Sequence, residues 1–158
     1  MWERPIIINF YYDSLENFEE PLQINYDIKT RSPQEDMIYF NPMLGEGYKD
    51  NPFKPSKRLY PVEMPYTVDD TYLFQMSVPA NYEIDILPKS TRVNLDEEGK
   101  SFFEYIIDNR EGIISLRSRV RLSRTYFLPD EYELLRDFFA TIVNTHAGQV
   151  VLKKKKPL

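Results

Sequence analysis

Residues 114–123 read ISLRSRVRLS, and this stretch decides the fold class. One side of an extended chain would carry Ile114, Leu116, Val120 and Leu122, and the other Ser115, Arg117, Arg119, Arg121 and Ser123. Because successive side chains of a β-strand point to opposite faces, the alternation predicts a strand with one buried and one solvated face. This pattern is typical of an antiparallel sheet.

Alternation recurs elsewhere in the chain. Residues 22–28 alternate cleanly, and Tyr72–Val78 and Tyr82–Ile86 are separated by a short turn, so we expect these last two strands to form a hairpin. The dense apolar run Ile6–Tyr12 predicts a buried strand. Prolines and aromatic residues crowd the segment from about Arg31 to Pro65, which predicts an ordered loop with short extended pieces.

A single segment has helical periodicity. A stripe of apolar side chains is formed by Tyr132, Leu135, Phe139, Ile142 and Val143. We predict strands from about residue 5 to 123, a helix at about 129–144 and a final strand at about 149–153. Residues 1–158 would then form a single domain, mainly β, an antiparallel two-layer β-sandwich of about eight strands with one C-terminal α-helix.

The composition argues against the commonest catalytic centres. The chain has no cysteine and a single histidine, His146, so a Cys/His nucleophile pair is impossible and a histidine-rich metal cage nearly so. The position of His146 just past the predicted helix is explained by its interaction with the helix dipole. We predict no catalytic residue, no cofactor and no metal site.

Charge and hydropathy limit the partners. A net charge of -5 argues against general binding of nucleic acid or acidic lipid. The chain contains neither a membrane-spanning run nor a signal segment, and we expect no membrane insertion.

Adjacent carboxylates, such as Asp69 and Asp70, favour solvated turns. A carboxylate-based hydrolase would need two acids roughly 5 to 9 Å apart in a cleft.

Two sets of residues are candidate binding sites. Arg117, Arg119 and Arg121 share one strand face and form a candidate anion face. They could instead pair with carboxylates or lie over aromatic rings of neighbouring strands, such as Glu104, Phe103 or Tyr105. Phe53, Tyr60 and Tyr66, in the proline-rich segment 51–66, form a candidate interface. They could instead fold back and cap the core of their own domain.

Several stretches resemble one known family in their order along the chain. These are Asn51–Lys54, Arg58–Glu63, Pro65–Tyr66, Val78–Tyr82, Leu87–Pro88, Tyr132–Phe139 and Gln149–Lys154. They resemble the C-terminal domain of unknown function that follows the core in exported transglutaminase-like proteins of bacteria, of the Bacteroidetes type. The similarity runs from about Pro5 to Lys156.

The resemblance implies a non-catalytic accessory domain that packs on, or presents substrate to, a papain-like core absent from this chain. It also implies a periplasmic or cell-surface location and a core domain as the partner. The alternative is a free-standing carbohydrate- or peptide-binding β module. An exposed platform drawn from Tyr39, Tyr48, Phe53, Tyr60 and Tyr66 would favour this alternative.

Overall fold

The computed structural model describes residues 6–17, 19–30 and 34–156. Residue 5, where the first strand was predicted to begin, and residues 31–33 of the proline-rich segment lie outside these ranges. The chain divides into two compact units, Met1–Asp36 and Met37–Leu158, and each is described by itself. That residues 1–158 form a single domain stays a prediction.

The first unit contains an antiparallel hairpin of β1 (Ile6–Asp13) and β2 (Gln23–Lys29). Its register shifts between Ile7 and Asn9, which leaves Ile8 as a bulge residue without a cross-strand partner in the pairing. The expectation that β1 is buried is wrong, because all eight of its residues are exposed. A run of apolar residues specified the strand but not what covers it.

The second unit contains the remaining strands and the helix. In chain order these are β3 (Met37–Phe40), β4 (Val62–Glu63), β5 (Val68–Ser77), β6 (Tyr82–Ile86), β7 (Thr91–Asn94), β8 (Phe102–Arg110), β9 (Ile113–Leu122), β10 (Tyr126–Phe127), α1 (Tyr132–His146) and β11 (Val150–Lys154). A mainly β fold with antiparallel pairing and one helix near the C-terminus is confirmed. The described residues form eleven strands rather than about eight, and the two-layer sandwich stays a prediction.

A four-stranded antiparallel sheet carries the strand that decided the fold class. Its order is β5-β9-β8-β7. Residues of β9 alternate between buried and partly exposed, and the apolar ones are buried, as their pattern predicts. Strands β8 and β9 are joined by Glu111 and Gly112, whose φ angles of 51° and 78° suit the tight two-residue turn of a hairpin.

The other sheets differ from expectation. Strand β6 does not pair with β5; it pairs with β11, which lies at the centre of the three-stranded sheet β3-β11-β6. The hairpin predicted between residues 72 and 86 is therefore wrong, and β11 is not an edge strand. Local turn chemistry cannot distinguish a hairpin from two strands that diverge into different sheets. A short ribbon pairs β4 with β10.

Helix α1 closes the core of the second unit. It buries Tyr132, Leu135, Phe138, Phe139, Ile142 and His146. His146 touches the rings of Phe103 and Tyr105 on β8, so the buried side of the helix faces the buried side of the four-stranded sheet. The helix begins three residues after the predicted start because Leu128 to Glu131 form a hydrogen-bonded turn. None of the helices within the described ranges is both long and apolar enough to cross a membrane.

Candidate functional site

His146 and Ser118 form a buried hydrogen-bonded pair between α1 and β9. The Nε2 atom of His146 lies 2.8 Å from Ser118 Oγ, and His146 is only 4% exposed. Its Nδ1 atom accepts a hydrogen bond of 3.1 Å from the backbone N–H of Tyr48. A neutral imidazole holds one proton, so a bare Nδ1 places that proton on Nε2, which donates to Ser118.

This tautomer is the reverse of the one that serine hydrolysis requires. A serine nucleophile needs the facing histidine nitrogen to be free to take its proton. Burial lowers the pKa of His146 to about 4, so the ring is neutral at physiological pH. The dipole interaction inferred from the sequence needs a charged ring, and the hydrogen bonds to Ser118 and Tyr48 replace it as the reason for this histidine.

Residues 41–56 run along α1 from its C-terminal to its N-terminal end. Four side-chain hydrogen bonds to backbone carbonyls fix this course: Asn41 Nδ2 to His146 O (2.7 Å), Asn51 Nδ2 to Arg136 O (2.8 Å), Arg136 Nη1 to Ser56 O (2.9 Å) and Tyr132 Oη to Pro55 O (2.9 Å). The backbone comes so close at Gly47 that an added Cβ would lie 3.0 Å from His146 Cβ. Side chains therefore tie the proline-rich segment to the helix of its own unit.

Phe53 belongs to the core rather than to a free surface. Its side chain is 7% exposed, and its ring lies 5.1 Å from the ring of Phe139 and 6.0 Å from that of Tyr132, both edge-to-face. The assignment of Phe53 as a candidate interface residue is corrected accordingly. For this residue, the alternative of capping its own core holds.

Tyr60 and Tyr66 have the opposite placement. We call residues 57–66 the aromatic loop. It exposes Leu59, Tyr60 and Tyr66 to 87%, 77% and 69%, although Val62 within it is buried in β4 and Met64 N–H bonds to Thr125 O at 2.8 Å. An anchored loop that leaves three large apolar side chains in solvent is a candidate interaction surface.

The predicted aromatic platform does not form as a set of five. Phe53 is buried, and Tyr48 is half-buried with its ring stacked on His146 at 6.1 Å. Tyr39 is exposed on β3, away in sequence from the aromatic loop. Tyr60 and Tyr66 therefore remain as the exposed aromatic pair of that loop. The two cationic residues at the start of the aromatic loop, Lys57 and Arg58, are exposed as well.

The three arginines of the candidate anion face lie together on the outer face of the four-stranded sheet, where carboxylates meet them. Asp69 accepts two hydrogen bonds from Arg119, at 2.7 and 2.8 Å, and lies 3.6 Å from Arg121. The guanidinium of Arg119 holds the pKa of the Asp69 carboxyl below its usual range, chiefly by hydrogen bonding. Glu104 pairs with Arg117 and, at 2.9 Å, with Arg92.

This network covers two side chains that would otherwise be exposed. Glu104 is 6% exposed, and Phe102 is buried beneath the guanidiniums of Arg92 and Arg119, 5.1 and 5.4 Å from its ring centre. The ion pairs of these arginines with Asp69 and Glu104 therefore link all four strands of the sheet, β5, β9, β8 and β7. Structural pairing, the alternative left open by the sequence, accounts for the arrangement.

Glu104→Gln is expected to lower the free energy of unfolding by about 1–3 kcal/mol, because it removes the negative charge between two arginines at a buried position. Chemical denaturation measures this loss. Asp108→Asn is the matched control on the same strand, since Asp108 is partly exposed and pairs with the exposed Arg110. Equal effects of the two substitutions would contradict a buried network around Glu104.

No cluster of three or more metal-ligating side chains is found among residues 6–17, 19–30 and 34–156. Sequence reasoning missed the roles of Ser118 and Tyr48, whereas it named Glu104 as a possible partner of the arginines. Ser118 carried one signal, because it is a polar residue on the apolar side of β9. No signal in the sequence pointed to Tyr48, because its backbone N–H makes the contact with His146 and a backbone N–H does not depend on the side chain.

Comparisons with known proteins locate the chain within one family. A family model described as a domain of unknown function with solved structure, DUF3858, matches residues 36–152. No curated protein matches the chain. A crystal structure from Parabacteroides distasonis, described as that of "a putative protease", superposes with a TM-score of 0.58 at 13% identity over 76% of this chain. The chain spans 24% of the length of that protein, and the likeness concerns the fold alone.

Proposed function

The chain belongs to the DUF3858 family, and we propose that it is a non-catalytic accessory domain that packs on, or presents substrate to, the core of a transglutaminase-like protein. The observation that carries the proposal is the aromatic loop. It holds large apolar side chains in solvent on an anchored backbone, an arrangement typical of surfaces that another protein covers.

The state of the buried polar pair supports a non-catalytic role. Ser118 and His146 are at hydrogen-bond distance, but the proton on Nε2 and the burial of both side chains remove the function of a base. The carboxylates Asp69 and Glu104 pair with arginines. Their pairing accounts for them as structural groups rather than as an acid and a base.

The proposed parent protein is longer than this chain. The likeness to a protein roughly four times as long supports a setting with further domains. We propose an exported parent, at the periplasm or the cell surface. The absence of cysteine is compatible with an oxidising compartment, where unpaired thiols are a liability.

The aromatic loop is expected to contribute to binding rather than to stability. Leu59→Ser with Tyr60→Ser should change the unfolding free energy of the chain by less than about 0.5 kcal/mol, since both side chains are exposed. Affinity for a separately produced transglutaminase-like core of the parent should fall roughly tenfold or more. Urea denaturation and isothermal titration calorimetry measure the two quantities.

Phe53→Ser is the control, because Phe53 lies in the same proline-rich segment but is buried. It should destabilise the chain by several times more than the loop variant. Loss of stability in the loop variant would mean that the loop caps its own core. Binding of a glycan or a free peptide by the aromatic loop, without any affinity for a core domain, would favour the independent module. Peptide hydrolysis or cross-linking by the purified chain would contradict the non-catalytic role.

A further inference from the structure

The hairpin of the first unit is amphipathic, and the bulge at Ile8 makes it so. Directly paired residues of two strands share a face, and residues two apart on one strand also share it. The register pairs Ile7 with Ile28, Phe10 with Tyr26 and Tyr12 with Ile24. Without the extra residue, Ile7 would lie on the face opposite Phe10.

We call these six residues the apolar face of the hairpin: Ile7, Phe10, Tyr12, Ile24, Tyr26 and Ile28. Four of them, Ile7, Phe10, Tyr12 and Ile24, are 55–59% exposed. The opposite face is mainly polar. It carries Asn9, Asp13, Gln23, Asn25, Asp27 and Lys29 together with Ile6 and Tyr11, and Asn9 Nδ2 donates to Asp27 Oδ2 at 2.8 Å.

An amphipathic two-stranded ribbon is stabilised when another surface buries its apolar face. A lone hairpin is marginally stable in water, and an exposed apolar surface of this kind marks a contact with another folded surface. The DUF3858 model begins at residue 36, where the second compact unit also begins. The family match and the second compact unit therefore both leave out the hairpin, although the resemblance was expected to begin near Pro5.

The net charge of the first unit limits which kind of partner can bind the apolar face. Residues 1–36 contain eight acidic and three basic side chains, whereas residues 37–158 contain 17 of each, so the first unit carries the whole net charge of -5. Two copies of the hairpin would repel each other, as would the hairpin and an anionic lipid surface. A partner surface with basic groups around an apolar centre would be complementary.

We propose that the apolar face of the hairpin is a second docking surface, covered by an apolar patch with a basic border on the core domain of the parent protein. This inference rests on the proposed accessory function and adds to it the segment that makes the contact. The hairpin would complete the packing of the neighbouring domain, while residues 37–158 hold their own core.

Two paired double variants of the 158-residue chain test the proposal. Tyr12 and Ile24 are direct cross-strand partners on the apolar face, and Tyr11 and Asn25 are direct partners on the opposite face. Calorimetric titration with the separately produced core domain should show roughly tenfold weaker binding for Tyr12→Ser with Ile24→Ser. Tyr11→Ser with Asn25→Ser should change the affinity by less than about threefold. Amides of β1 and β2 should gain protection from hydrogen exchange when the core is added.

Every other result of this experiment would contradict a specific part of the proposal. Equal losses in the two variants would show that hairpin formation, not the apolar face, matters. If both hairpin double variants bind the core normally while the Leu59→Ser and Tyr60→Ser variant binds more weakly, the hairpin proposal is wrong but the accessory role stands. No binding by the unaltered chain would remove both. A dimer lost in Tyr12→Ser with Ile24→Ser, or binding to phosphatidylcholine and phosphatidylglycerol vesicles, would identify a second copy or a lipid surface as the cover instead.

Discussion

Phe139→Ala is expected to lower the free energy of unfolding by about 3–5 kcal/mol, among the largest effects of any single substitution in this chain. Phe139 is 2% exposed, and its ring meets those of Tyr48, Phe53 and Phe138 at 5.7, 5.1 and 5.8 Å. Truncation would leave a cavity between α1 and residues 41–56. Both segments are tethered by hydrogen bonds, so they cannot collapse fully into it. Urea denaturation monitored by circular dichroism measures the loss.

Leu134→Ala is the matched control on the same helix. Leu134 is 55% exposed, so its truncation should cost less than about 0.5 kcal/mol. A cost below about 0.5 kcal/mol for Phe139→Ala as well would mean that α1 is a detachable element. Such a result would contradict the packing of α1 against residues 41–56.

Acid should destabilise the fold through His146 as the pH falls from 6.5 to 4. Burial depresses the pKa of His146 from its usual 6.5 to about 4 in the folded chain. Between these values the unfolded chain binds a proton that the folded chain excludes, so stability decreases as the pH is lowered through this window. The expected loss is on the order of 3 kcal/mol, completed near pH 4.

His146→Gln removes this titration and is the control. Its absolute stability will be lower, since Ser118 or Tyr48 loses a partner, but its unfolding free energy should depend much less on pH between 6.5 and 4. The carboxyl pKa values of Asp69 and Glu131 are lowered, chiefly by hydrogen bonds from Arg119 and Arg124, and both groups are present in the unaltered chain and in the variant, so the comparison between the two isolates His146. An unchanged pH dependence in the variant would show that His146 is not buried as a neutral ring.

The strand and helix pattern could be predicted because it depends on periodicity. The alternation in β9 and the stripe on α1 each required one buried face, and the structure buries those faces. Pairing between distant strands could not be predicted. The association of β6 with β11 joins residues more than 60 positions apart, and no turn signal connects them.

The candidate sites show the same division. The sequence identified Tyr60, Tyr66 and Phe53 as aromatic residues of one ordered segment, but their exposures range from 7% to 77%. The hydrogen bonds of Asn51 to Arg136 O and of Tyr132 to Pro55 O turn the first part of that segment toward α1. Arg117, Arg119 and Arg121 shared a face as expected, whereas their neutralisation depended on the register with Asp69 and Glu104.

The sequence by itself determined the alternating pattern of strands such as β9, the helical stripe of α1, the absence of cysteine chemistry and the shared face of the arginines. These follow from local periodicity and from residue identity, which are properties of the chain at short range. Only the tertiary structure decided the partner of each strand, the tautomer and low pKa of His146, and which aromatic side chains remain in solvent. These properties depend on what each side chain meets across the fold, because burial and hydrogen bonding are set by residues that the chain brings together from a distance.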